Sequence, residues 1–203
     1  MAKPKILQED QSYTFRSYFE MNAEPEDILA DLGYCLLTAR LTLPMTAHPL
    51  PWASALQQRL EQSLQVVSLT SEAARRETLV APILLEIAIQ NHAQLRIEYP
   101  LSVNQWLKGN LDYLLRSPQS LIVVEAKRDD LTRGFTQLAT ELIALAQSQD
   151  EKILYGAVTI GDAWRFGKLD VEQKQIIQDI PLFTIPDQLE QLLQVISGIL
   201  ETN

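Results

Sequence analysis

Apolar residues recur along this chain with two periods, and the periods divide it into helices and strands. Pro25 followed by Glu26 and Asp27 reads as a helix start, with Gly33 as its stop. Residues 34–43 read as a strand ended by Pro44, and "WASALQQRLEQSLQVV" follows at helical spacing. A stronger helix is predicted for "TSEAARRETLVAPILLEIAIQ". Thr70 or Ser71 can cap it, Glu72 suits the positive dipole end of its first turn, and Pro82 should kink or interrupt it. Residues 96–100, 110–115 and 121–127 read as strands. In "LTRGFTQLATELIALAQ", Phe135, Leu138, Ala139, Leu142 and Ala146 recur at three and four, as an amphipathic helix requires. "KILYGAVTI" is a strand, "GDAWRFGKL" a turn with a return strand, and "LFTIPDQLEQLLQVISGIL" a strand and a closing helix. This order predicts an α/β sandwich with a mixed central sheet flanked by helices. Residues 70–203 form its core, and residues 1–69 form an N-terminal helical and strand extension packed on it. Residues 1–10 are polar and expected to fray, and the aromatic cluster Tyr13, Phe15, Tyr18 and Phe19 reads as core packing.

The segment "LDYLLRSPQSLIVVEAKRDD" breaks the pattern by placing ionised residues in the most strand-like part of the chain. Strand side chains alternate, so Glu125 and Lys127 leave the same face. "SPQS" is a turn signal, because proline presets the second turn position. A two- or four-residue loop there sets residue 116 opposite 121 and, counting back, Asp112 opposite Glu125. An odd-length loop or a bulge would shift that register. Held in register, the two carboxylates stand about 5 Å apart with an ammonium one step along. Val123 and Leu114 lie alongside them and Ile122 and Val124 behind, the pattern of a strand buried on both faces. Opposed buried like charges need an offset. Mg²⁺ supplies one, since it binds through a few carboxylate oxygens and keeps several waters, and Mn²⁺ can substitute. The simpler alternative is a structural ion pair of Lys127 with Glu125 or Asp112.

Charge and composition narrow the chemistry. The formal net charge is −9, from 17 basic and 26 acidic residues. That argues against a nucleic-acid coat protein, which needs a broad basic face, but leaves room for a nucleic-acid enzyme with a local metal. The single cysteine, Cys35, rules out an internal disulfide and a cysteine-built zinc site, and His48 and His92 have no ligand-like spacing. "MAKPKILQED" lacks the apolar stretch of a signal peptide and no run reaches the length of a membrane span, so a cytoplasmic protein without membrane contact is expected.

At these residues the sequence resembles the PD-(D/E)xK nuclease superfamily. Asp112 in "GNLDYLL" matches the motif aspartate, although Leu111 stands where the strict motif has proline, and Glu125-Ala126-Lys127 in "IVVEAK" matches (D/E)xK. "SEAARRETLVAPILLEI" looks like the leading helix of the nuclease domain in type I restriction motor subunits and their stand-alone relatives. "YGAVTIGDAWRFGKL" looks like the hairpin that follows their active site. The likeness covers roughly residues 70–170. It implies a restriction-endonuclease-like fold and a metal-dependent phosphodiester hydrolase, a DNA endonuclease. Asp112, Glu125, the Ala126 carbonyl and Glu72 would surround the metal, and Lys127 would stand beside the attacking water. Glu77 and Glu86 share the helix with Glu72 and are alternatives to it. Some relatives carry a functional glutamine followed four residues on by tyrosine. Gln137 fits, but Glu141 does not, and a solvated polar face is the expectation for both. Arg128, Arg133, Arg165 and Lys168 flank the proposed site and are candidates for phosphate contact. The implied partner is DNA, with a homodimer if both strands of a duplex are cut. The alternative is an inactive module that keeps the fold as a nucleic-acid or protein binding unit.

Overall fold

A computed structural model describing residues 5–202 places helices on both faces of one mixed sheet of eight strands. The strands are β1 (Cys35–Ala39), β2 (Gln94–Ser102), β3 (Lys108–Arg116), β4 (Leu121–Ala126), β5 (Ile153–Thr159), β6 (Ala163–Asp170), β7 (Gln175–Asp179) and β8 (Phe183–Thr184). Seven of them run β1-β7-β6-β5-β4-β3-β2, and β8 pairs with β6. The β1–β7 and β4–β5 pairs are parallel and the rest antiparallel. The protein is therefore an α/β sandwich.

One face of the sheet carries α1 (Phe15–Glu20), α2 (Pro25–Asp31) and α6 (Leu131–Ser148), whose Phe15, Leu29, Phe135 and Leu138 pack with Leu114 and Val123. The other carries α3 (Ala53–Leu64), α5 (Ala81–Gln90) and α7 (Leu189–Glu201), packed on Ile122 and Val124. Every residue of β4 is buried, as its two-sided apolar pattern requires. Each buried leucine, isoleucine or valine there stabilises the fold by about 1.5–3 kcal/mol relative to its exposed form.

The helix leading to α5 begins at α4 (Glu72–Arg75), where Ser71 Oγ accepts the Ala74 N–H at 3.0 Å. It then widens into a π-helical stretch, Arg76–Val80, where the Ala81 N–H donates to the Arg76 carbonyl. In a straight α-helix the Pro82 ring would meet the Thr78 carbonyl. The wider turn ahead of it answers that clash without ending the helix.

The β3–β4 hairpin keeps the register expected from its turn. Ser117 Oγ accepts the N–H groups of Gln119 (3.1 Å) and Ser120 (3.0 Å), and the ladder runs from Arg116↔Leu121 to Tyr113↔Val124. Two features depart from the sequence reading. The strand expected over 34–43 is limited to β1. It closes the sheet edge against β7, a strand with no alternating pattern, in which Ile176 and Asp179 are the buried residues. Fraying is also not seen from Ile6 on. Asp31 Oδ2 accepts the N–H groups of Ile6 (2.6 Å) and Leu7 (2.9 Å), and Leu7 is buried, while residues 1–4 lie outside the described residues. Among the described residues, no helix is long and apolar enough to cross a membrane.

Candidate active site

The end of the β3–β4 hairpin away from its turn opens into a cavity of about 540 Å³ lined by Asp112, Glu125, Lys127, Glu72 and Gln137. Continued by one rung, the ladder puts Asp112 opposite Glu125. The Asp112 side chain reaches across the pair, its Oδ2 accepting the Ala126 N–H at 2.9 Å. Lys127, first residue beyond β4, forms an ion pair with Glu125 Oε1, and its ammonium lies 5.0 Å from the centre of the Phe19 ring. The chain holds it there through its own N–H, which donates to the Thr159 carbonyl at 2.8 Å. Glu72 comes from the far wall. Its helix is fastened to the β5–β6 turn by Arg75 Nη1, which donates to the Ile160 carbonyl (2.8 Å) and to Asp162 Oδ1 (3.0 Å). Of the acids on that helix only Glu72 faces the cavity: Glu77 is exposed, and Glu86 pairs with Arg59 at 3.6 Å.

The expected solvated face on α6 is wrong. Gln137 and Glu141 are 4% and 0% exposed, beside Glu125 at 1%. Gln137 Nε2 donates to Glu125 Oε1 (2.7 Å) and to Glu141 Oε1 (2.9 Å). A polar pair four residues apart suggests a wet stripe on a helix covered on one side. Here α1 and α2 cover the outside of α6, and the polar stripe turns inward over β4.

Sequence reasoning also missed Arg76 and Glu98. Arg76 lies four residues beyond Glu72 and so on its face of the helix, a signal that was available. Its guanidinium donates to Glu98 Oε1 (2.8 Å) and Asp112 Oδ1 (3.3 Å), and stacks 5.1 Å from the centre of the Tyr113 ring. Glu98 occupies the rung of β2 opposite Asp112, where the regular ladder skips a pair and its φ is +51°. A left-handed φ on a non-glycine residue costs about 1–3 kcal/mol and gathers at functional sites. No sequence signal reports it.

The phosphate candidates divide. Arg128 is exposed beside a neighbouring cavity that it shares with Phe19 and Glu72, and Arg133 is exposed in the first turn of α6. Arg165 projects from the same sheet face as Glu125 but two strands away, through Val158, and does not line the cavity. Lys168 falls in step with Phe166 and Trp164 and so leaves the sheet face opposite Glu125.

Electrostatics reflect the crowding of buried acids. Burial, then Glu141 and Asp112, raises the Glu125 pKa well above the ordinary carboxylate range. Burial likewise pushes Glu141 up to about 8. Asp112 is raised by burial, against the opposing pull of Arg76 and the Ala126 N–H. Burial works against the Lys127 ammonium, yet Glu125 beside it holds its pKa above the ordinary lysine value.

The donor chemistry suits a hard divalent cation. Asp112 and Glu125 are oxygen donors on one cavity, and Glu125 Oε2 is buried without a hydrogen-bond partner. Mg²⁺ binds through one or two carboxylates and keeps its waters. Among the described residues, no group of three or more histidine, cysteine, aspartate or glutamate side chains stands ready to enclose a metal. A comparison with protein-family models and with curated proteins finds no match to the chain.

Proposed function

We propose that the protein is a metal-dependent phosphodiester hydrolase, a DNA endonuclease of the restriction-endonuclease-like fold, working in the cytoplasm at Asp112, Glu125 and Lys127. One observation carries the reading: two carboxylates on adjacent strands and a lysine share one cavity with an acid from the leading helix. Asp112, Glu125 and the Ala126 carbonyl would hold Mg²⁺ or Mn²⁺, with Glu72, which lines the same cavity, as the contributing helix acid. Once bound, such an ion supplies Lewis-acid stabilisation of phosphate charge and acidifies water.

The chain's own groups have distinct work. The Ala126 N–H aims Asp112, and Gln137 fixes Oε1 of Glu125. Lys127 projects an ammonium into the cavity, where it can orient a water for attack on phosphorus and offset charge on the phosphate. In hydrolysis a bond forms between that water's oxygen and phosphorus. The water gives up a proton to solvent as it attacks, the bond from phosphorus to the leaving sugar oxygen breaks, and that oxygen takes up a proton. Cutting a duplex would call for two copies of the site, hence a homodimer.

A second reading also has an observation behind it. Each carboxylate already has a cation partner within the chain, Arg76 for Asp112 and Lys127 for Glu125. A site neutralised in this way suits an inactive binding module. The deciding experiment gives metal-stripped protein supercoiled plasmid and labelled single-stranded DNA with Mg²⁺, Mn²⁺ or chelator, beside Lys127→Ala. Cleavage that needs metal and is lost in the variant is expected. Metal-dependent cleavage undiminished in Lys127→Ala refutes the role of Lys127, and no cleavage with either metal refutes the hydrolase.

A further inference from the structure

We infer that Phe19 is a stacking platform delivering an unpaired DNA strand, rather than a duplex, to the carboxylate cavity. The inference rests on the hydrolase reading and names its substrate class.

Phe19 stands where two cavities adjoin. It lines the one holding Asp112 and Glu125 and a second of about 400 Å³ bordered by Thr70, Ser71 and Arg128, with Glu72 also common to both. The neighbouring aromatic side chains are committed to structure. Phe15 is buried against Gly109, where a Cβ would meet its ring at 2.8 Å, and the Tyr18 hydroxyl donates to the Trp106 carbonyl at 2.7 Å. These contacts fix α1 as a wall and leave the half-buried Phe19 ring facing the polar cleft. Its ring already receives one cation, the Lys127 ammonium.

Size and charge favour a single strand. Cavities of about 540 and 400 Å³ are of the size that holds small ligands, hence a nucleotide or two. Acids outnumber bases around the larger one: Glu20, Glu72, Glu98, Asp112 and Glu125 against Arg16, Arg76 and Lys127. A duplex gains its affinity from many phosphate contacts on a basic surface, which this rim does not provide. Exposed Arg16 and Arg128 border one cavity each, paired with Glu20 (2.8 Å) and Asp129 (2.7 Å), and on the exposed rim they can exchange those acids for the phosphates beside one stacked base. Stacking on an aromatic ring strengthens binding by about 5- to 100-fold per base, a contribution independent of phosphate contacts.

The test measures fluorescence anisotropy of a labelled short single strand and of the same sequence as a hairpin duplex, with Ca²⁺ replacing Mg²⁺. Wild type, Phe19→Ala and Phe19→Trp are compared. Tighter binding of the single strand is expected, weakened about 5- to 100-fold by Phe19→Ala and restored by Phe19→Trp. Equal binding by wild type and Phe19→Ala overturns the inference, as does a duplex bound as tightly as the strand, or no binding of either. Cleavage is read separately. Cutting that survives Phe19→Ala on every substrate yet fails in Lys127→Ala keeps the hydrolase and removes the platform. Phe19-dependent strand binding without any cutting supports the platform and removes the hydrolase.

Discussion

Replacing Glu141 by glutamine should make the protein more stable at neutral pH and less sensitive to pH. Glu141 is fully buried, its pKa is pushed up to about 8, and it lies within hydrogen-bonding reach of Glu125. The pair therefore holds a proton in the folded state that the unfolded chain releases near the ordinary value of 4.5. Because the native state binds more protons between these values, the stability contributed by this group is fully present below about pH 4.5 and is lost as pH rises toward 8. Each pH unit costs about 1.4 kcal/mol, so roughly 3 kcal/mol is lost by pH 7. Glutamine keeps the shape of the protonated acid, can still accept from Gln137, and has no proton to lose. It also removes one of the charges that raise the Glu125 pKa. Urea denaturation of both proteins in chelator, from pH 4.5 to 8, reads the difference directly. The variant should match wild type at the acid end and exceed it by about 3 kcal/mol at pH 7. Curves that fall in parallel would mean that Glu141 does not hold the proton, and the description of the buried pair would fail.

Three further substitutions probe the framework of the fold, two of them beside the site. Arg76→Ala leaves Asp112 buried with its backbone partner alone, and should cost about 3 kcal/mol in urea denaturation, toward the low end for a broken buried pair because both partners keep some exposure. Glu98→Gln, at the exposed end of the same guanidinium, should cost under about 1 kcal/mol; equal losses would contradict the placement of Arg76. Gly198→Ala puts a Cβ 2.6 Å from the Met45 backbone, where the chain crosses α7 and the Thr46 N–H donates to the Gln194 carbonyl. It should lower stability by about 1–3 kcal/mol although alanine favours a helix, and a neutral or higher melting temperature would refute the close crossing.

Much of this architecture is local in origin, and local origin is what a sequence displays. The 3.6-residue period of α6, the Ser71 cap and the proline-led turn at 117–120 each arise from neighbouring residues. The turn even fixed a distant relation, since a hairpin register propagates along the ladder from its loop to Asp112 and Glu125. What tertiary structure decided is which surfaces meet. Gln137 and Glu141 became buried because α1 and α2, more than a hundred residues earlier, cover the outer side of α6. Phe19 was grouped with the core, yet the packing of α1 turned its ring to the cavity. β7 is a strand because β1 and β6 flank it, since its own pattern specifies no face. Arg76 found Asp112 and Glu98 only after the π turn and the β2 irregularity brought three separate elements together. Propensity and periodicity act over a few residues. Burial and charge pairing depend on which distant segments meet, and folding alone sets that.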